Sequence, residues 1–148
     1  MCRSCHQKTS SWGCSKKEDE SDKSEGLDII IKQIPPIFQE YETWGNYKKI
    51  ENTTYFLISD HGNDFFTKLT LIHEIIEYTL LEYKDANLEA LDKFDIEFEK
   101  DPKRVEMYGE PGNDPDCPYK KEHEIAEIVA RMMCMHLGVD YELYNNCM

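Results

Sequence analysis

The sequence predicts a single α+β domain in which a small antiparallel sheet is followed by three helices. Two segments rich in β-branched and aromatic residues, 27–34 and 52–59, indicate strands. Beyond residue 63 the apolar residues recur three and four positions apart in three stretches, which is the spacing of amphipathic helices. Strands that precede the helices, instead of alternating with them, are typical of the α+β class.

Each strand is bounded by residues that end pairing. The first, LDIIIKQI, stops at Pro35-Pro36, because proline cannot donate to a sheet ladder. The segment Trp44-Gly45-Asn46 is interpreted as a turn, and the second strand runs from Asn52 to Ser59.

Three helices are predicted after the strands. The first is capped by Asp64, and the second spans about 87–99. A loop rich in proline and glycine covers 101–118, a length more typical of functional loops than of plain connections. The third helix begins near Tyr119 and ends at Gly138, a typical C-cap. The predicted inward-facing residues of the three helices are Phe65, Leu69, Ile72, Ile76, Leu80 and Tyr83; Leu88, Leu91, Phe94 and Phe98; and Ala126, Val129, Ala130, Met133 and Leu137.

The chain is strongly acidic. Its 148 residues hold 17 Lys and Arg against 30 Asp and Glu, a formal net charge of −13. Basic and acidic residues cancel within 1–26, so the whole excess lies on 27–148. Such a negative charge repels phosphate backbones, which argues against direct nucleic-acid binding. It favours cations or basic protein surfaces as partners. The alternative is that the charge only keeps the protein soluble.

The N-terminal segment 1–26 is predicted to be a flexible tail. It has no aliphatic residue beyond Met1, which is too little apolar surface to offset the entropy of ordering. Cys2, Cys5 and Cys14, with His6, are the ligand types of a zinc knuckle, but their spacing matches no established pattern. We therefore predict one metal-binding domain over 27–148 and assign these cysteines no role in it. The sequence contains neither a long apolar run nor a signal-peptide pattern, so no membrane contact and a cytoplasmic location are expected.

Two segments repeat the pattern His-Glu-Ile-x-Glu, one at 73–77 and one at 123–127. In each, the histidine and the second glutamate are four residues apart and project from one helical face, at the edge of the apolar stripe. Two imidazoles with one or two carboxylates suit Zn²⁺ or another borderline divalent metal. We predict His73, Glu77 and His123 as the metal ligands and Zn²⁺ as the best match.

Four other carboxylates are predicted as additional or supporting groups. Asp95 falls within the apolar stripe of the second helix, with Glu99 one turn further on. A carboxylate that faces a core needs a partner, so Asp95 either holds a ligand histidine in one tautomer or caps a neighbouring helix. Glu122 and Glu127 lie near the stripe of the third helix and are placed to face the same cleft.

The segment His73-Glu74-x-x-Glu77 resembles the His-Glu-x-x-His helix of zincin-type metallopeptidases. This resemblance implies that Glu74 is the general base and that His123 replaces the missing second histidine. It also implies a peptide or protein substrate paired with an edge strand, for which 53–59 is the candidate. Three further motifs follow His73-Glu74-x-x-Glu77: Phe94-Asp95-x-x-Phe98-Glu99, Glu-Pro-Gly-x-Asp-Pro-x-x-Pro-Tyr at 110–119, and Glu122-His123. With them the chain resembles, over about 53–143, small uncharacterised proteins of bacteriophages and prophages, which implies the host cytoplasm as its location.

Three functions follow from these patterns. The first is a small zincin-like metal-dependent hydrolase, with His73, Glu77 and His123 as ligands and Glu74 as base. The second is a two-metal, carboxylate-rich site on facing helices that hydrolyses nucleotides. The third is a non-catalytic acidic phage protein that binds and inhibits a host protein.

Overall fold

The computed structural model describes residues 28–41 and 43–146, and it confirms the α+β class. The predicted tail 1–26, with Cys2, Cys5 and Cys14, lies outside the described residues. In the described part, three strands precede five α-helices. The strands are β1 (Asp28–Ile34), β2 (Gly45–Ile50) and β3 (Thr53–Ser59), and the helices are α1 (Asp64–Tyr83), α2 (Leu88–Glu99), α3 (Pro102–Tyr108), α4 (Lys120–Leu137) and α5 (Tyr141–Asn145).

The sheet is mixed, so the prediction of an antiparallel sheet was wrong. β3 lies in the centre, with β1 parallel to it on one side and β2 antiparallel on the other. Pro35 and Pro36 follow β1, and β2 then starts on the opposite side of β3. Two backbone hydrogen bonds mark this crossing, from the Ser59 N–H to the Trp44 carbonyl and from the Asp60 N–H to the Ile34 carbonyl.

Two predicted loop segments contain regular structure. Gly45 and Asn46, interpreted as a turn, are the buried first residues of β2. Within 101–118 the chain forms α3, where the Asp101 carboxylate accepts from two backbone N–H groups and Pro102 occupies the first turn. Proline is favoured at that position because its missing N–H would have no helical partner there.

Helix α1 packs on the sheet with one side and on α4 with the other, so its buried face is wider than predicted. Asn63, and not Asp64, is its N-cap, accepting from the N–H groups of Phe65 and Phe66. Tyr83 is 92% exposed, whereas His73 and Glu77 are 6% and 5% exposed. The prediction placed this pair at the edge of the apolar stripe, but both lie at the centre of the buried face.

Three apolar clusters hold the elements together. They comprise Phe66, Leu69, Ala130, Cys134 and Tyr144 between α1, α4 and α5; Phe56, Ile58 and Tyr78 between sheet and α1; and Leu81, Cys117 and Tyr119 at the start of α4. Leu137, predicted to be inward-facing, is 55% exposed near the end of α4. None of the helices in the described residues combines the length and the apolar character needed to span a membrane.

Candidate metal centre

Helices α1 and α4 bring three predicted ligands to one point. His73 Nε2 lies 3.2 Å from His123 Nδ1, and Glu77 Oε2 lies 3.1 Å from that Nδ1 and 3.6 Å from His73 Nε2. Ligand atoms about 2.0–2.2 Å from a tetrahedral ion are separated by about 3.3–3.6 Å, so one ion could contact all three. All three side chains are buried, which holds this triangle of donor atoms in place.

Two further side chains orient the triangle. Glu110 Oε1 lies 3.3 Å from His123 Nε2, the ring nitrogen that faces away from the other two donors. Nε2 makes no aligned hydrogen bond within the described residues, so Glu110 acts on it through its charge. A negative charge in this position would favour a proton on Nε2 and leave the Nδ1 lone pair for a metal. The Tyr47 hydroxyl donates to Glu77 Oε1 at 2.8 Å, which leaves Oε2 toward the histidines.

No local pattern in the sequence indicated a role for Glu110 or Tyr47. Tyr47 belongs to β2, a strand that was not predicted, and its hydroxyl reaches α1 only through the sheet packing. Glu110 opens the Glu-Pro-Gly segment of the long loop, and the length of that loop was the only available signal.

Two glycines make room for the site. A Cβ atom at Gly112 would overlap the ring of His123, and a Cβ at Gly45 would overlap the carboxyl group of Glu74. Both glycines have ordinary backbone conformations, so the requirement at these positions is space and not flexibility.

Charge pairing dominates the electrostatics of the triangle. Burial alone would raise the pKa of Glu77, but His123 and His73 outweigh burial and lower this pKa to about 2. Burial would lower the pKa of His123, but Glu110 and Glu77 raise it to about 10. For Glu74, burial and the charge of Glu77 raise the pKa well above its usual range. Without metal, His123 thus holds a proton between the carboxylates of Glu77 and Glu110. The same negative charges would stabilise a divalent cation bound here.

The triangle lies at the wall of a cavity of about 440 Å³. This volume is within the usual range of about 300–1,000 Å³ for ligand pockets. Among the described residues the lining contains no lysine or arginine, and its carboxylates are Glu74, Glu77, Asp92, Asp95, Glu99 and Glu110. The cavity therefore favours cations and disfavours phosphate groups.

Asp95 is buried as predicted, but it has neither of the two predicted roles. Its carboxylate accepts hydrogen bonds from the Tyr119 hydroxyl at 2.7 Å and the Tyr41 hydroxyl at 3.3 Å. It thus ties α2 to the start of α4 and to the segment before β2, without contacting a histidine. Glu99 lines the same cavity.

Of the other two predicted carboxylates, Glu122 lies apart from the triangle and Glu127 lies near one of its corners, His123. Glu122 is buried and pairs with Lys84, outside the cavity lining. Glu127 groups with Glu110 and His123 as a second set of possible ligands. It also accepts from the Tyr141 hydroxyl at 3.2 Å and lies 3.6 Å from the Arg131 guanidinium, a charge that disfavours a cation there. We therefore take the set of His73, Glu77 and His123 as the candidate site.

Replacement of Asp95 by asparagine tests its protonation. Burial is the main cause that raises the pKa of Asp95 to about 7, despite the hydrogen bond from Tyr119. The folded protein thus binds this proton more tightly than the unfolded chain, and the associated stability is lost as the pH rises from about 4 to about 7. In Asp95→Asn we expect the free energy of unfolding to increase by roughly 1–3 kcal/mol at about pH 8 and by less at about pH 5.

Urea unfolding in the presence of a chelator measures this difference at both pH values. If Asp95→Asn lost the same stability at both pH values, Asp95 would be ionised in the folded protein and needed as a carboxylate.

No protein-family model, curated protein or solved structure matches this chain. The resemblances to zincins and to phage proteins therefore stay predictions, and the function has to be inferred from the site itself.

Proposed function

We propose that this protein is a divalent-metal-dependent hydrolase that holds Zn²⁺ with His73, Glu77 and His123. The observation that carries the proposal is the buried triangle of three donor atoms at the wall of a cavity. Catalytic zinc sites have three protein ligands and one open position, whereas structural zinc takes four protein ligands. All three donor residues line the same cavity, which supports an open position on that side.

Glu74 is placed to act as the general base. It follows His73 directly on α1 and lines the same cavity, with its carboxyl group against Gly45. A bound Zn²⁺ lowers the pKa of a coordinated water and polarises a substrate carbonyl. In its ionised form Glu74 would accept a proton from the attacking water and pass it to the leaving group. A cation held by the three donors would favour that form, because it would offset the charge of Glu77 that raises the pKa of Glu74. Tyr47 and Glu110 would keep Glu77 and His123 in position.

An extended peptide is the substrate that fits this arrangement. The predicted strand for substrate pairing, 53–59, was wrong, because β3 is paired on both sides and cannot add another strand. β2 is an edge strand, and Gly45, Asn46 and Tyr47 line the cavity. Backbone pairing along β2 would lay a peptide across the triangle.

The two-metal nucleotide hydrolase is less well supported. Asp95 and Glu127, which would complete a second metal site, already accept hydrogen bonds from tyrosine hydroxyls. A cavity whose described lining carries six carboxylates and no lysine or arginine also repels a substrate phosphate. Two histidines and one carboxylate can bind Fe²⁺ as well as Zn²⁺, so the metal has to be identified by analysis.

Elemental analysis of the full chain, purified without chelators or an affinity tag, tests the proposal. We expect about one equivalent of zinc, or of iron, per chain. The matched control is a variant in which Cys2, Cys5 and Cys14 are serine, and it should retain the metal. Metal that disappears with the cysteines, or a metal-free protein whose melting temperature does not respond to Zn²⁺, would contradict the proposed site.

Glu110→Gln tests the orienting role of Glu110. Loss of such a partner of a ligand histidine typically costs about 10–100-fold in metal affinity. We expect a reduction in this range, since glutamine keeps the shape and the Asn113 contact but loses the charge. Competition with a chelator measures the affinity, and Glu106→Gln on an exposed face of α3 is the control. Equal affinities in the two variants would refute this role.

A further inference from the structure

The outer edge of β1 is unpaired in the described residues. β1 pairs with β3 on one side only, and Ile29, Ile30 and Ile31 are 53%, 37% and 51% exposed. Ile29 and Ile31 lie opposite Thr54 and Phe56, on the α1 side of the sheet, where about half of each side chain stays exposed. An exposed apolar edge strand is a template for pairing with another strand, and natural proteins usually block it.

The sequence of this edge is complementary to itself. If two copies of Asp28-Ile-Ile-Ile-Lys32 pair in antiparallel orientation around Ile30, each Asp28 lies opposite a Lys32 and every other pair is isoleucine on isoleucine. A parallel, in-register pair would place like charges together. Neither Asp28 nor Lys32 has an ion-pair partner elsewhere in the described residues, so both charges are available.

We propose that β1 is the contact of a symmetric homodimer, in which two copies pair antiparallel around Ile30. The two sheets become one six-stranded sheet, with Ile29 and Ile31 of both copies covering each other on the α1 side. Cross-strand pairs of opposite charge and of β-branched residues are those that stabilise antiparallel strands. The metal triangle and β2 lie toward the other edge of each sheet, so this proposal is independent of the proposed function.

Charge exchange at Asp28 and Lys32 tests the dimer. Sedimentation equilibrium of the full chain over about 1–200 µM should show a monomer–dimer equilibrium. Asp28→Lys and Lys32→Asp each create two like-charge pairs, and we expect each variant to dissociate about tenfold more readily. The double variant restores both pairs and should dimerise within about threefold of the wild type. Circular dichroism checks that all four proteins are folded.

The direction of the Asp28→Lys effect separates specific pairing from general repulsion. This variant reduces the net negative charge, so repulsion between acidic bodies alone would make its dimer tighter, whereas pairing across β1 makes it weaker. A wild type that stays monomeric would overturn the proposal and point to another occupant of the edge, such as the segment preceding Asp28. A dimer that ignores the single changes, or that the double variant does not restore, would overturn it as well.

Discussion

Replacement of His73 or His123 by alanine is expected to reduce zinc affinity by more than about a hundredfold. Removing only the hydrogen-bonding partner of a ligand histidine costs about 10–100-fold, so removing one of three ligands has to cost more. Both imidazoles are buried and fixed in position. A water molecule that took the place of a nitrogen donor would not be held at the same point. Competition between the protein and a chelator of known affinity measures the effect directly.

The two variants should differ in the absence of metal. His123→Ala removes the positive partner of Glu77 and Glu110, whereas His73 makes one longer contact with Glu77 at 3.6 Å. Removing one partner of a buried ion pair costs about 3–5 kcal/mol, so His123→Ala should be the less stable variant. His136→Ala, on an exposed part of α4, is the control for both measurements. Unchanged zinc affinity in either ligand variant would refute the proposed coordination.

Glu74→Gln is expected to abolish metal-dependent hydrolysis without loss of metal. General base catalysis typically contributes about 10²–10⁴-fold, and glutamine cannot accept a proton. Glu74 is not one of the three donors, so zinc affinity should change much less than in the ligand variants. The assay compares zinc-loaded and chelated protein on a mixture of unstructured peptides, with new termini read by mass spectrometry.

The repeated motif supplies a matched control for this measurement. Glu124 stands next to His123 as Glu74 stands next to His73, but Glu124 is exposed. Glu124→Gln should therefore be as active as the wild type. If Glu74→Gln is also fully active, the assigned base is wrong. If the zinc-, iron- and manganese-loaded wild type all leave the peptides intact while metal is bound, the non-catalytic alternative is favoured.

Local signals in the sequence were sufficient for much of the fold. The helical spacing and the caps placed the start of α1 and both ends of α2 and α4 within one or two residues of their observed bounds, and Gly138 ends α4 as predicted, with φ 69°. β-branched residues placed β1 and β3 equally well. The repeated His-Glu-Ile-x-Glu pattern predicted that His73 and His123 meet, and their rings are 4.8 Å apart.

Features that depend on distant parts of the chain could not be predicted. β2 has no alternation of apolar residues, because Gly45 and Asn46 are buried against the cavity and not in an apolar core. Its pairing makes the sheet mixed and brings Tyr47 to Glu77. Likewise, Glu110 reaches His123 because α3 folds the long loop back. The buried carboxylate of Asp114 holds this fold, since it accepts a hydrogen bond from Arg104 Nε of α3 at 2.8 Å. Neither contact leaves a local sequence pattern.

The location of a bound zinc ion is the most direct test of the proposed site. Anomalous scattering from crystals of the zinc-loaded full chain should show a peak about 2.0–2.2 Å from His73 Nε2, Glu77 Oε2 and His123 Nδ1, with the fourth position facing the cavity. A peak at the cysteines of the tail, or between Glu110 and Glu127, with the imidazoles of His73 and His123 uncoordinated, would contradict it.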